Sequence, residues 1–207
     1  MAGLRDRQKA DRERRILEAA VKMFRARGYR AVRLDELADR ADVSVGTVYN
    51  YYETKGDILI ATVALEVEEV IEIGSAIVAD PPRGVEEALL ALIFEYYDHS
   101  LNYLSKEMWR TAMALSIEAP ETRNGQHYSA LDRKLCGQVT ELVARLKARG
   151  EVRGEIDPGP FGELIFNNLN MMFIEFVKDE TMTLEALRAA VAAQMRPLAA
   201  MIATEDA

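Results

Sequence analysis

The side chains with the clearest chemistry for recognising another molecule lie close together near residue 50. In the helix predicted over residues 45–52, Thr47, Asn50 and Tyr51 share one face, whereas Val48 belongs to an apolar face. The first face is polar and aromatic but carries no charge. An asparagine amide can pair with the edge of adenine, and a tyrosine ring or a threonine methyl group can contact thymine. This combination is typical of a helix that reads base edges in the major groove of DNA.

A second predicted helix and a tight turn precede this segment. The helix runs from residue 34 to about residue 41 and has Asp35 and Glu36 in its opening turn, where free N–H groups favour negative charge. Asp42 is predicted to take the left-handed backbone conformation, which aspartate tolerates better than most residues. Ser44 is a suitable N-cap for the helix that follows. Together these signals predict a helix-turn-helix.

Catalytic and metal-binding patterns do not accompany these residues. The chain has two histidines, His99 and His127, and one cysteine, Cys136. The sequence contains no His-x-x-x-His, Cys-x-x-Cys or Gly-x-Ser-x-Gly pattern. His99 follows Asp98 and could form half of a metal site, but a lone histidine at a helix end more often complements the helix dipole. The sequence therefore predicts a protein that is not an enzyme and that uses no metal or cofactor.

The distribution of charge favours a nucleic-acid partner for the N-terminal part only. The chain has 207 residues and a net charge of −8. Residues 1–52 contain 12 Lys and Arg against 8 Asp and Glu, whereas residues 53–207 contain 14 against 26. The first segment therefore carries +4 and the remainder −12, so that DNA phosphates would attract one end of the chain and repel the other.

Several features predict a cytoplasmic protein without a membrane partner. Charged residues crowd positions 1–20, which excludes a signal peptide, and no apolar run approaches the roughly 18 residues that a membrane span requires. A chain with a single cysteine cannot form an internal disulfide, which fits a reducing compartment.

Apolar periodicity and helix-breaking residues predict an all-α fold. The nine predicted helices cover about residues 10–27, 34–41, 45–52, 54–74, 85–99, 106–119, 124–149, 158–178 and 183–201. Residues 1–9 are predicted to form a mobile arm, with contact to DNA phosphate or the minor groove as the alternative. Pro197 is expected to kink or interrupt the last helix.

The recognition segment and the first helix resemble those of a known family. Residues 44–59 (SVGTVYNYYETKGDIL) are similar to the recognition-helix block of the TetR family of one-component transcriptional repressors. Thr47, Tyr49 and Lys55 match the family's Gly-Thr-x-Tyr-x-x-x-x-x-Lys pattern, and residues 14–29 end in its usual Gly-aromatic pair. The resemblance covers about residues 10–60.

The predicted DNA-binding residues come from the helix pattern and the resemblance together. They are Arg33, Ser44, Val45, Gly46, Thr47, Tyr49, Asn50, Tyr51 and Lys55. The resemblance gives Tyr49 a contact with backbone phosphate, and Arg33 and Lys55 are also assigned to phosphates. The chain departs from the family pattern at Val32 and Arg33, where the family usually has Thr or Ser, and at Asp42, where it usually has Gly.

The helix predicted over residues 158–178 is apolar on nearly every side. A helix on the outside of a monomer would show one apolar stripe, so this one is expected to bury two faces. In the resembled family the last two helices pair across a two-fold axis, which implies a homodimer formed through residues 158–178 and 183–201. The alternative is a central helix of a monomeric core.

The resemblance also implies two domains and a ligand cavity in the second. The predicted domains are a three-helix helix-turn-helix domain over residues 1–54 and a helical ligand-binding and dimerisation domain over residues 55–207. Candidates for the cavity lining are Phe94, Tyr97, Trp109, Met113, Tyr128, Asn167, Asn170 and Phe173. Such residues are more often plain core, and the two asparagines could instead bond each other across a dimer axis. A cavity of this composition would favour a largely apolar or aromatic effector.

Two functions fit these expectations. The first is a ligand-responsive repressor: a homodimer that places two recognition helices about 34 Å apart on a near-palindromic operator. A small effector would shift the fourth helix and release the DNA. The second is a helical DNA-associated adaptor whose acidic C-terminal domain binds a protein partner. A closed cavity favours the first, and a large exposed apolar surface on the acidic part favours the second.

Overall fold

The computed structural model describes residues 3–204, and within that range every regular element is a helix. The helices of the described residues are α1 (Leu4–Arg27), α2 (Leu34–Arg40), α3 (Val45–Tyr49), α4 (Lys55–Ala79), α5 (Val85–His99), α6 (Lys106–Glu118), α7 (Arg123–Ala148), α8 (Pro158–Lys178) and α9 (Leu184–Ile202). Extended backbone pairs at an isolated antiparallel bridge between Val152 and Ala203. The predicted all-α fold with nine helices is confirmed for this part of the chain.

Contacts along the chain define two compact units. Unit 1 contains the described residues up to Leu65 together with Tyr103–Tyr128, and unit 2 contains Glu66–Asn102 and the described residues from Ser129 onwards. The sequence instead suggests a division at residues 54 and 55. The observed boundary differs from the predicted one because α4 begins at Lys55 and continues through Leu65 without a break. In addition, α6 packs in unit 1.

The turns of the helix-turn-helix form where the sequence predicts them. Gly28 ends α1 with a φ of 80°, a left-handed value that suits glycine, and its N–H donates to the carbonyl of Phe24 at 2.9 Å. Asp42 takes a φ of 54° in the turn between α2 and α3. Ser44 caps α3, because its Oγ accepts the N–H of Thr47 at 3.1 Å. The predicted end of the first helix at residue 27 and the predicted roles of Asp42 and Ser44 are confirmed.

The N-terminal helix is longer than predicted. α1 begins at Leu4 rather than near Ala10, because the Asp6 carboxylate accepts the N–H of Gly3 at 3.1 Å and caps the first turn. The prediction of a mobile arm over residues 1–9 is therefore wrong for the described part of that segment. Residues 1 and 2 lie outside the described range.

The recognition helix is shorter than predicted. α3 ends at Tyr49 rather than at Tyr52. After it the chain tightens into a turn in which the N–H groups of Tyr51 and Tyr52 both donate to the carbonyl of Val48, each at 3.0 Å. The bond from Tyr51 joins residues three apart, the tighter pattern that is common in the last turn of a helix.

Unit 2 contains a buried polar network against α4. This helix continues to Ala79, past Gly74 where the sequence predicts its end. A Cβ on Gly74 would lie 2.5 Å from Oε1 of Gln138, so this glycine permits close packing instead of ending the helix. The amide of Gln138 is fixed by the Tyr96 hydroxyl, which donates to it at 2.7 Å, and by its own donation to the Ile71 carbonyl at 2.8 Å.

The last two helices also belong to unit 2, where α9 packs against both α5 and α8. Asp157 caps α8 by accepting the N–H of Gly159 at 3.1 Å. α9 runs through Pro197 to Ile202, so the expected interruption does not occur. Pro197 is exposed, where water can bond the carbonyl group that loses its helical donor.

Candidate nucleic-acid interface

α3 is positioned by one buried side chain and one cap. Val48 is fully buried in unit 1, and burial of a valine contributes about 1.5–3 kcal/mol. Ser44 Oγ also lies 2.8 Å from Oγ1 of Thr47, in addition to the capping bond. A helix of five residues is too short to form alone, so these contacts determine its place.

The outer surface of α3 and of the turn after it carries the side chains predicted to read bases. Ser44, Val45, Gly46, Tyr49 and Asn50 are exposed, and Thr47 and Tyr51 are half-buried. Tyr49 leaves 53% of its surface accessible, which is unusual for packing and suits a contact residue. The structure therefore brings these seven predicted residues together at one end of unit 1. Their contacts with DNA stay a prediction.

Tyr51 turns toward the N-terminal helix. Its hydroxyl donates to the carbonyl of Lys9 at 3.0 Å and accepts from Nε of Arg12 at 3.4 Å. The neighbouring Tyr52 is buried, its hydroxyl lies 3.5 Å from Glu13, and burial raises its pKa far above the usual range. Tyr51 thus links α1 to the recognition segment, a role that the sequence pattern does not indicate.

A groove of about 620 Å³ lies between the start of α1 and the recognition segment, and we call it the N-terminal groove. It is lined by Arg5, Asp6, Gln8, Lys9, Arg12, Thr47, Asn50 and Tyr51. Sequence reasoning does not assign Arg5, Lys9 or Arg12 to the interface. Their spacing of four and seven residues, which places all three on one helix face, is the signal that could have found them.

Arg33 occupies the N-cap position of α2 but makes no side-chain cap. Its Nε and Nη2 donate to the two carboxylate oxygens of Asp35 at 3.1 and 3.0 Å. The pairing raises the pKa of Arg33 and lowers that of Asp35, and both side chains are exposed. A phosphate would have to compete with Asp35 for this guanidinium.

The ammonium group of Lys55 is engaged by the backbone between α1 and α2. Nζ donates to the carbonyls of Tyr29, Arg30 and Val32 at 2.8, 3.2 and 3.0 Å, and we call this arrangement the carbonyl clamp. The same nitrogen lies 4.5 Å from the centre of the Tyr29 ring. Burial lowers the pKa of Lys55, while the carboxylate of Glu107 opposes that change.

The start of α4 and the residue Tyr29 complete this arrangement. Thr54 and Asp57 cap each other: the N–H of Thr54 donates to Oδ2 of Asp57 at 2.6 Å, and the N–H of Asp57 donates to Oγ1 of Thr54 at 3.2 Å. The N–H of Tyr29 donates to Oε2 of Glu107 in α6 at 3.1 Å. A phosphate at this helix end would meet the Asp57 carboxylate, so the predicted phosphate contact of Lys55 faces a competing arrangement.

The candidates for the ligand cavity divide between the two units. Trp109, Met113 and Tyr128 belong to unit 1, whereas Phe94, Tyr97, Asn167, Asn170 and Phe173 belong to unit 2. In unit 2 the rings of Tyr97 and Phe173 stack with centres 6.0 Å apart, and the Tyr97 hydroxyl donates to the carbonyl of Leu169 at 2.8 Å. Asn167 is exposed, which does not fit a place inside a cavity.

His99 is part of a buried pair in unit 2. Its Nδ1 lies 2.5 Å from Oε1 of Glu66, and its Nε2 lies 3.5 Å from Oε2 of Glu69. His99 does end α5, where a histidine can complement the helix dipole, but its side chain is buried against Glu66. Among the described residues, no group of three or more His, Cys, Asp and Glu side chains has the arrangement of a metal site. None of the helices in residues 3–204 combines the length and the apolar character needed to cross a membrane.

Comparison with known proteins extends the likeness beyond the motif. A family model described as bacterial regulatory proteins, tetR family, matches residues 16–62. The transcriptional repressor KstR of Rhodococcus jostii is 37% identical over 139 residues, which cover 67% of this chain and 59% of the repressor. The chain therefore spans about 60% of the length of the KstR repressors of Rhodococcus jostii and Mycobacterium tuberculosis.

Solved structures share the fold over nearly the whole chain. A TetR-family regulator from Pectobacterium atrosepticum has a TM-score of 0.73 at 20% identity, covering 96% of this chain and 97% of the other. FadR from Thermus thermophilus, a transcriptional repressor solved in complex with lauroyl-CoA, has a TM-score of 0.65 at 19% identity, covering 91% and 93%.

Proposed function

Because the chain belongs to the TetR family of helix-turn-helix regulators, we propose that it is a ligand-responsive transcriptional repressor. The proposed protein binds a near-palindromic operator in double-stranded DNA as a homodimer. A small, largely apolar effector binds to it and releases the DNA. Its role is regulatory, not catalytic, and its place of action is the cytoplasm.

The exposed, uncharged outer side of α3 is the main support for operator binding. Asn50 has its amide exposed beside the half-buried Thr47, a pairing suited to adenine and thymine edges. Tyr49 is assigned to backbone phosphate. Ser44, Val45 and Gly46 present the capped start of the helix, where small side chains allow close approach to the duplex.

The test of operator binding uses the full chain and a library of random duplexes of about 30 base pairs, enough for two half-sites one helical turn apart. Sequences retained by the protein are selected and their affinity is measured by fluorescence anisotropy. We expect a two-fold symmetric consensus that binds at least about 10³-fold more tightly than random DNA at moderate salt. Failure to enrich any sequence would refute the proposal.

Exposed apolar side chains on the last two helices support the homodimer. Leu164 and Met171 of α8 leave 52% and 56% of their surfaces accessible, and Met201 of α9 leaves 72%. Leu164 and Met171 are seven residues apart and share one helix face. We expect light scattering to give a dimer mass for the wild type and a monomer mass for Leu164→Asp/Met171→Asp. Ile117→Asp, at an exposed position in unit 1, is the control and should stay dimeric.

The apolar character of the effector is supported by the composition of unit 2, and FadR of Thermus thermophilus was solved with lauroyl-CoA, whose acyl chain is apolar although its CoA part is charged. Lauroyl-CoA and shorter acyl-CoA compounds are therefore the first probes. A ligand that binds the native state must raise the melting temperature. An inducer must also weaken operator binding, by the same factor by which the operator weakens binding of the inducer. A stabilising ligand that leaves the operator affinity unchanged would argue against induction.

The adaptor is the second candidate, favoured by the same exposed side chains of α8 and α9. They would then bind a protein partner instead of a second copy. A monomer in light scattering, with operator binding intact, would favour this function over the first.

A further inference from the structure

We propose that the N-terminal part of α1 is a second DNA-contacting element, whose cations hold the sugar-phosphate backbone next to the bases that α3 faces. This inference rests on the proposed operator binding. It concerns residues 4–15, which lie ahead of the segment matched by the family model. The N-terminal groove, which joins this part of α1 to the recognition segment, is the observation that points to it.

Two cations of the N-terminal groove have no anionic partner within residues 3–204. Arg5 and Lys9 are exposed, and neither forms an ion pair with another described residue. The opposite face of the same helix differs, because Arg14 pairs with Asp11 at 2.7 Å and with Glu18 at 2.6 Å. The exposed Arg7 is likewise outside the ion pairs of the described residues, but of these three cations Arg5 and Lys9 are the ones that line the N-terminal groove beside Thr47 and Asn50.

The spacing of the cations suits one strand of a duplex. Arg5, Lys9 and Arg12 lie on one face of α1 and span about 10 Å along its axis at roughly 1.5 Å per residue. Phosphates of one strand are spaced about 3.4 Å along the duplex axis, so this row matches about three of them. Long, flexible side chains can follow the curve of the backbone without precise geometry.

Tyr51 fixes this row relative to the recognition segment. Its hydroxyl bonds the Lys9 carbonyl and accepts from Arg12, so the helix that carries the cations is tied to the residue next to Asn50. Both elements belong to unit 1. A duplex that meets Asn50 with its base edges would therefore present its flanking phosphates to Arg5 and Lys9. Tyr51 is a positioning residue in this arrangement.

The carboxylate of Asp6 in the groove allows a test in which DNA binding should become stronger instead of weaker. Asp6 lines the N-terminal groove, and its Oδ2 accepts the N–H of Gly3. Its negative charge would repel a phosphate held by Arg5 and Lys9. Asp6→Asn removes the charge and keeps an oxygen that can accept from Gly3, so it should strengthen DNA binding about two- to fivefold.

The principal experiment compares two double variants that each remove two positive charges from α1. Arg5→Ala/Lys9→Ala changes the N-terminal groove, and Arg14→Ala/Arg27→Ala changes two cations of α1 that are ion-paired within unit 1. Affinities for the selected operator and for a random duplex are measured by anisotropy from about 50 to 200 mM salt. Each lost phosphate contact should flatten the slope of log K against log salt by about 0.9, which is roughly eightfold in affinity at about 0.1 M salt.

We expect the groove variant to lose about 10- to 60-fold on both duplexes, with a flatter salt dependence, and the control to lose less than about threefold. Circular dichroism and thermal melting establish that both variants fold. Equal losses and equal slopes for the two variants would overturn the inference while leaving operator binding intact. Weaker binding by Asp6→Asn would also overturn it. A wild-type chain that selects no sequence would instead refute the proposed function itself.

Discussion

Replacement of Lys55 by methionine tests what this lysine does. Lys55→Met keeps most of the unbranched side chain and removes the ammonium group that donates to three backbone carbonyls. A hydrogen bond to a charged group contributes about 1.5–3 kcal/mol, but the three bonds share one partly exposed charge. Together with about 0.5–1 kcal/mol from the Tyr29 ring, the expected loss in free energy of unfolding is about 2–3 kcal/mol.

The measurement is thermal and urea unfolding followed by circular dichroism. In a chain of this length about 2–3 kcal/mol corresponds to a melting temperature lower by roughly 5–10 °C. Lys134→Met is the matched control, since Lys134 makes one exposed ion pair with Glu68 at 3.6 Å and should change the stability by less than about 0.5 kcal/mol.

The salt dependence of DNA binding by Lys55→Met distinguishes the two roles of Lys55, in the carbonyl clamp or in the phosphate contact that the sequence predicts. If the ammonium holds the backbone, Lys55→Met should leave the salt slope of DNA binding unchanged while lowering stability. If it binds phosphate, the slope should flatten by about 0.9 per contact. An unchanged melting temperature combined with a flatter slope would refute the clamp.

Three further changes have defined outcomes. Asn50→Ala should cost about 1–3 kcal/mol on the selected operator and little on random DNA in anisotropy titrations, and equal losses on both would refute base reading by Asn50. Gly74→Ala should lower the free energy of unfolding by about 1–3 kcal/mol, because the new Cβ would lie 2.5 Å from Gln138 Oε1 and 2.8 Å from Leu92 Cδ1. Gly137→Ala, with nothing within 4 Å, should instead stabilise α7 by about 0.5–1 kcal/mol, and equal effects at the two glycines would contradict the packing argument. Burial raises the pKa of Asp132 to about 6, so the folded chain keeps a proton that the unfolded chain loses near pH 4. The contribution of Asp132 to stability should therefore fall by about 2 kcal/mol as the pH rises from 4 to 6, so the wild type should lose that much relative to Asp132→Asn in urea titrations over this range; a variant that keeps the wild-type pH profile would exclude this role of Asp132.

The helix-turn-helix was predictable because its signals are local. Gly28, Asp42 and Ser44 each act through backbone groups within about four residues, so their effects can be derived from neighbouring positions alone. The limits of α3 and α4 were less predictable. The double use of the Val48 carbonyl and the close packing of Gly74 depend on details that helix propensity does not contain.

The side-chain partners at the candidate interface were not predictable for a related reason. Lys55 bonds carbonyls 23–26 residues away, and Tyr51 bonds one that is 42 residues away. Residue type gives these side chains their capacity to donate, but the folded arrangement of unit 1 decides which carbonyl lies within reach. The exposure of Asn167 has the same origin, since an apolar pattern on two faces of α8 does not say which face the rest of unit 2 covers.

Two side chains, one from α6 and one from α4, hold the segment after α1 by bonds to its main-chain atoms. Glu107 accepts the backbone N–H of Tyr29, and Lys55 donates to three backbone carbonyls. Neither bond depends on the side chains of Arg30 and Ala31. Mutations at those two exposed positions can accumulate without breaking the connection. Divergent evolution of this loop is therefore compatible with an unchanged architecture around it, provided that the lysine and the glutamate persist.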